Sequence, residues 1–171
     1  MLAKRLGAGG QTIRILGIDP GTRITGYGVV DKQGSQLSFV SCGVIRTSEK
    51  QPLSERLTEI HAGILEVIDR HGPQLAGIED IFTAVNPRSA LKLGHARGVL
   101  MLAVAQRGIP LEEFVPMQVK QAVAGYGKAP KEQVQHMVRL LLGLAASPSQ
   151  DAADALAVAI CRANHSNLLI R

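Results

Sequence analysis

The sequence predicts an α/β domain on a five-stranded mixed sheet, three strands antiparallel and two added in parallel, with helices on both faces. Three observations carry this. The strand-like runs Ile13 to Ile18, Thr25 to Val30 and Leu37 to Ile45 follow one another through short turns, which makes an antiparallel ribbon. Two more such runs, Leu75 to Glu79 and Leu111 to Val115, are separated by helical patterns, and strands joined through helices add in parallel. The run Ile13-Arg14-Ile15-Leu16-Gly17-Ile18 is apolar almost without a break, as a strand covered on both faces must be.

The first strand exits at Asp19-Pro20-Gly21-Thr22, a sharp turn. Thr25-Gly26-Tyr27-Gly28-Val29-Val30 is the second strand, Asp31-Lys32-Gln33-Gly34 the expected turn, and Leu37 to Val40 with Gly43-Val44-Ile45 the third strand. Pro52 opens a helix whose apolar positions Leu53, Leu57, Ile60, Ile64, Leu65 and Ile68 recur at helical spacing until Gly72-Pro73. After the fourth strand, a polar connection through Thr83, Asn86, Pro87 and Arg88 leads to Ser89, the expected N-cap of a helix that Gly108-Ile109-Pro110 closes. Beyond the fifth strand, helix begins at Met117, breaks at Gly125-Tyr126-Gly127-Lys128-Ala129-Pro130 and resumes from Lys131 to Leu142. The last helix, Ser149 to Ala163, is expected to start from a Ser147 cap with Pro148 in its first turn.

A length of 171 residues fits one domain, residues 13–171, behind a flexible basic tail, residues 1–12. No apolar run approaches the roughly 18 to 20 residues of a membrane span, and the tail has no signal-peptide core, so the expected location is cytoplasmic. Cys42, Cys161 and the five histidines are scattered without metal-ligand or disulfide spacing. A formal charge of +5 suits a polyanionic partner. With only Phe39, Phe82, Phe114, Tyr27 and Tyr126 as aromatics, phosphate contacts rather than base stacking must dominate its binding.

Chemistry concentrates in four acids. Asp19 ends the first strand, Glu79 ends the fourth, and Asp151 and Asp154 share one face of the last helix, about 5 to 6 Å apart at Cβ. Singly, each has a plain structural reading: Asp-Pro-Gly is turn chemistry, Glu79 can be a strand end facing water, and Asp151 complements a helix dipole. Asp154 fits such a reading least, because it lies deeper among Ala152, Ala153, Ala155, Leu156, Ala157 and Val158. Four carboxylates from three elements converge only if something neutralises them, and a hard divalent ion such as magnesium does so with oxygen ligands and retained waters. Two such ions activate a water and stabilise the leaving oxygen of an in-line phosphoryl displacement. No serine, cysteine or histidine nucleophile arrangement competes, so the residues alone point to metal-dependent phosphoryl transfer on a polyanion.

The segment Ile15-Leu16-Gly17-Ile18-Asp19-Pro20-Gly21-Thr22-Arg23-Ile24-Thr25-Gly26-Tyr27-Gly28-Val29 resembles the opening of the RuvC family of Holliday-junction endonucleases. So do Ala90-Leu91-Lys92-Leu93-Gly94-His95-Ala96-Arg97-Gly98-Val99, Gln118-Val119-Lys120-Gln121 and Asp151-Ala152-Ala153-Asp154-Ala155-Leu156-Ala157. The resemblance implies an RNase H-like fold, a homodimer that nicks two opposed strands of a four-way junction symmetrically, dependence on Mg2+ or Mn2+, and cooperation with a branch-migration helicase. Two ions per site, and 5′-phosphate and 3′-hydroxyl ends that a ligase can seal, are expected. Asp19, Glu79, Asp151 and Asp154 match the family's four acidic positions. Lys120 and Lys131 match basic positions that hold phosphate near the metals, and Phe82 matches an aromatic that approaches the junction bases. Solvated surface charge is the alternative for each lysine, and a core position the alternative for Phe82. Asp80 stands where relatives carry an amide.

Arg88, Lys92, Lys120, Lys128, Lys131 and Arg139 form the expected basic surface. The helix after Ser89, with Gly94 and Gly98, offers a face for a second copy or for tight packing within one chain. Asp-x-Gly-Thr also resembles the first phosphate loop of actin-like sugar kinases and chaperone ATPases, but 171 residues cannot supply their second domain. A junction-binding scaffold without catalysis is the other rival, and it has no use for an acidic cluster inside a basic protein.

Overall fold

The computed structural model describes residues 11–80 and 86–165, so most of the expected tail (residues 1–12), Phe82 and residues 166–171 lie outside the described residues. The elements are β1 (Ile13–Asp19), β2 (Ile24–Gln33), β3 (Gln36–Arg46), α1 (Leu53–His71), β4 (Leu75–Glu79), α2 (Pro87–Gln106), β5 (Leu111–Phe114), α3 (Pro116–Ala124), α4 (Lys131–Leu141) and α5 (Gln150–His165). The sheet order is β3-β2-β1-β4-β5. β1, β2 and β3 pair antiparallel, while β4 and β5 add in parallel, as the strand and helix order requires.

Side chains alternate across the central strand, so its apolar run feeds two cores. Leu16 and Ile18 pack with Ile60 and Ile64 of α1 and Leu100 and Val104 of α2. Ile15, on the opposite face, packs with Val119, Val138, Leu156 and Ile160 of α3, α4 and α5. Burial on both faces is why the run needs no polar alternation.

Three boundaries differ from expectation. The hairpin turns at Gly34, in the left-handed region with φ 60°, and not across Asp31 to Gly34. Asp31 stays in β2 opposite Arg14 and accepts two hydrogen bonds from it, at 2.8 and 2.9 Å. Lys32 is buried and donates from Nζ to the Ala163 carbonyl. Polar residues that read as a turn are thus satisfied by distant partners. The N-cap of α2 is Asn86, whose Oδ1 accepts from Ser89 N at 2.9 Å with Pro87 in the first turn, so Ser89 is the capped residue and not the cap. For α5 the first helical bond is Ala153 N to Ser149 O, at 2.8 Å, which starts that helix two residues later than a Ser147 cap would.

α5 lies across β1 and β2 with almost no space between backbones. A Cβ on Gly17 would fall 2.1 Å from Ala155 O, one on Gly26 would fall 2.1 Å from Asp151 O, and one on Gly28 would fall 2.7 Å from Leu156 N. These obstacles are backbone atoms, which cannot rotate away. Gly17→Ala is therefore expected to destabilise the fold by about 3 kcal/mol or more, read as a lower urea midpoint at unchanged m value.

Candidate active site

β1 delivers Asp19 on the face that carries Ile15 and Gly17, toward α5. The turn that follows is braced from three directions. Thr25 Oγ1 donates to Gly21 O at 2.8 Å, Thr47 Oγ1 to Thr22 O at 2.7 Å, and the buried Arg56 of α1 to Thr22 O at 2.5 Å. Motif and spacing do not single out Arg56 or Thr47. The available signal is a charge on the inward stripe of α1, four residues before Ile60 and eight before Ile64.

β4 runs beside β1 with Ile78 opposite Ile18, so Asp19 and Glu79 occupy the next positions on neighbouring parallel strands. Their carboxyl groups lie close enough for each to shift the other's titration. Burial, reinforced by the charges of Glu79, Asp154 and Asp151, pushes Asp19 up to about 8. Burial also raises Glu79, against the pull of the Asp19 carboxyl and of Lys131 and Lys120. Asp154 is raised by burial, while Lys131, whose Nζ lies 3.0 Å from Asp154 Oδ2, opposes that shift. Glu79, Asp154, Lys120 and Lys131 line one cavity of about 220 Å³, floored by Val119, Val134 and Ala157.

Comparison with known proteins is in accord with this geometry. The family model described as crossover junction endodeoxyribonuclease RuvC matches residues 15–162. The chain belongs to the RuvC family. A RuvC from Azorhizobium caulinodans, named a crossover junction endodeoxyribonuclease, is 50% identical over 153 residues, covering 90% of each chain. The structure of Thermus thermophilus RuvC in complex with Holliday junction substrate superimposes with a TM-score of 0.87 at 39% identity, covering 91% of this chain and 96% of that one. The yeast mitochondrial Holliday junction resolvase Ydc2, at 17% identity and a TM-score of 0.66, shares the fold, covering 95% of this chain and 82% of its own. The architecture is the RNase H-like one of RuvC, and the chain is a nuclease of that family.

The structure brings together Asp19, Glu79, Asp154, Lys120 and Lys131, with Asp151 close enough for its charge to act on Asp19 and Asp154. Arg88 and Lys92 stand exposed at the start of α2, and Lys128 stands in the α3–α4 connection; none of the three lines the acidic cavity. Arg139 is engaged elsewhere, donating to the Leu144 and Ala145 carbonyls beyond the end of α4. Asp80, beside Glu79, pairs with Arg97 at 3.5 Å.

The donor set suits a hard divalent ion: oxygen ligands, two of them on adjacent strands and close enough to interact. Among the described residues no group of three acidic, histidine or cysteine side chains is placed to hold a metal ion without further ligands. Magnesium commonly takes one or two carboxylates and completes its shell with water and substrate phosphate, which this open arrangement allows. Among the described residues, no helix is long and apolar enough to cross a membrane.

Raised carboxyl groups set the sign of the pH response. Asp19 titrates near 4 when unfolded and near 8 when folded, so its contribution to stability is fully present below the unfolded value and is lost as pH rises through 8. One pKa unit corresponds to ~1.4 kcal/mol, and Asp19→Asn in metal-free buffer should gain at least about that much at pH 8 and little at pH 4. Urea unfolding of both proteins at the two pH values checks this.

Proposed function

We propose that this chain resolves four-way DNA junctions by divalent-metal-dependent hydrolysis of one phosphodiester in each of two opposed strands. The observation that carries the reading is the acid cluster itself: half-buried Glu79 of β4 and Asp154 of α5 line one cavity with two lysines, and Asp19 of β1 lies beside them, in a protein of net charge +5. Membership in the RuvC family and the Holliday junction substrate bound by Thermus thermophilus RuvC support a junction as the substrate.

In this reading Asp19 and Glu79, with Asp154 and Asp151 beside them, hold Mg2+ or Mn2+, two ions when the site is full. Bound ions lower the pKa of water and stabilise the departing oxygen. Lys120 and Lys131 hold the scissile phosphate against the carboxylates, so the phosphorus is held where its neighbours would otherwise repel it. Lys131 supplies a cation to Asp154 at 3.0 Å while DNA is absent. The cavity holds no serine, cysteine or histidine nucleophile among its described lining residues, which suits direct displacement by water; the 5′ phosphate and 3′ hydroxyl ends of this reading rest on the family.

Arg88, Lys92 and Lys128 contribute sequence-independent phosphate contacts, so affinity falls steeply with salt. Phe82, outside the described residues, is assigned to the junction bases by its match to the family alone. A homodimer presents two such sites. Its candidate face is the apolar groove of about 760 Å³ along α2, where Leu91 and Leu102 are 65% and 53% exposed and Gly94 and Gly98 leave the helix backbone open. A two-fold dimer matches the approximate two-fold symmetry of a four-way junction. Cooperation with a branch-migration helicase and a cytoplasmic location complete the reading and rest on the family.

Asp154→Asn is expected to lower junction cleavage by about 100-fold or more while junction affinity in a gel-shift titration stays within about threefold. Substantial residual cleavage would remove Asp154 from the site. Leu102→Asp should convert the dimer to monomer in sedimentation at micromolar concentration and abolish paired nicking; an unchanged dimer would place the interface elsewhere.

A further inference from the structure

We propose that Arg97 is a positioning residue that fixes Glu79 by supplying a hydrogen-bond donor that the sheet lacks. In β4 the N–H groups of Ala76 and Asp80 point to β5, donating to Pro110 O at 2.9 Å and Phe114 O at 2.7 Å. Alternation along the strand then turns the N–H and C=O groups of Gly77 and Glu79 toward β1. Ile78 is opposite Ile18, so the next parallel ladder bond would run from the N–H of residue 20 to Glu79 O. Residue 20 is proline and has no N–H. The carbonyl of an acidic site residue is thereby left without its ladder partner at the open end of the sheet.

Arg97 takes that place. Its Nε donates to Glu79 O at 3.3 Å, one terminal nitrogen lies 3.5 Å from Asp80 Oδ1, and the same nitrogen donates to Glu113 Oε2. Only 19% of the side chain is exposed, so the guanidinium is held on three sides by the two strand ends it joins. A planar fork with several fixed donors does this, whereas a lysine ammonium reaches one such partner at a time. Arg97 projects from the flank of α2, between the inward positions Ala96 and Leu100 and the groove positions Gly94 and Gly98. It contacts none of the reacting groups and acts through the backbone of Glu79.

The inference rests on Glu79 belonging to the active site, so the experiment includes Glu79→Gln. Single-turnover junction cleavage, junction affinity and thermal midpoint are measured for the native protein, Glu79→Gln, Arg97→Gln, Arg97→Lys and Glu113→Gln. Arg97→Gln is expected to cut the cleavage rate by about 10- to 100-fold with affinity within about threefold of native. Arg97→Lys, which keeps one donor, should fall between native and Arg97→Gln and decides the matter if Arg97→Gln does not fold. Glu113→Gln leaves the bond to Glu79 in place and should stay within about threefold of native. A native rate in Arg97→Gln, a parallel loss of affinity and rate, or an equal loss in Glu113→Gln would overturn the proposal. Full activity in Glu79→Gln would overturn the reading of the site as well, whereas an inactive Glu79→Gln beside a native Arg97→Gln would overturn the positioning role alone.

Discussion

Backbone contact between α5 and the β1–β2 pair is the constraint from which the acidic site follows. The three glycines at Gly17, Gly26 and Gly28 let the helix settle to a depth where a Cβ at any of these three positions would overlap Ala155, Asp151 or Leu156. In the β-ladder Gly26 is the partner of Asp19, and its missing side chain is where the Asp151 carbonyl sits. The start of α5 is thus held against the end of β1, and the two helical acids meet the strand acid. Parallel pairing of β4 beside β1 then adds Glu79 at the same edge. Sites at the carboxyl ends of strands are general in α/β sheets, because the chain is free to turn there and present side chains.

Such convergence is electrostatically unfavourable without a counter-ion. Burial, with the charge of Glu79 beside it, pushes Asp19 up to about 8. Among the described residues, Lys131 and Lys120 are the cations that line the cavity of this cluster, and Lys131 is committed to Asp154. In the proposed reading a divalent ion would relieve this repulsion, and stability at neutral and alkaline pH would then depend on the metal. Braces around the site carry the remaining order: Arg56, Thr47 and Thr25 hold the turn after Asp19, and Arg97 holds the end of β4.

Much of this is legible in the residues. The nearly unbroken apolar run of β1 marks the sheet centre, strand order dictates the mixed topology, and Asp19, Glu79 and Asp154 stand at strand ends or inside an alanine-rich helix where an unpaired acid is costly. Polar residues with distant partners are not legible. Asp31 and Lys32 read as a turn because their partners, Arg14 and Ala163, come from other parts of the chain. The roles of Arg56 and Arg97 are not legible either, since only the folded chain brings them to the carbonyls of Thr22 and Glu79. The partners of Arg139 are hidden for a related reason: its guanidinium donates to carbonyls beyond the end of its own helix.

In the proposed function one carboxylate cluster performs metal-dependent, junction-selective cleavage. This is tested most directly by comparing a mobile synthetic four-way junction with a plain duplex of the same sequence, using Mg2+ or Mn2+ with the native protein and Asp19→Asn. Paired nicks that ligase reseals, confined to the junction and absent with Asp19→Asn, are the predicted result. Junction binding without cleavage under either metal, or equal cleavage of both DNAs, would contradict the account.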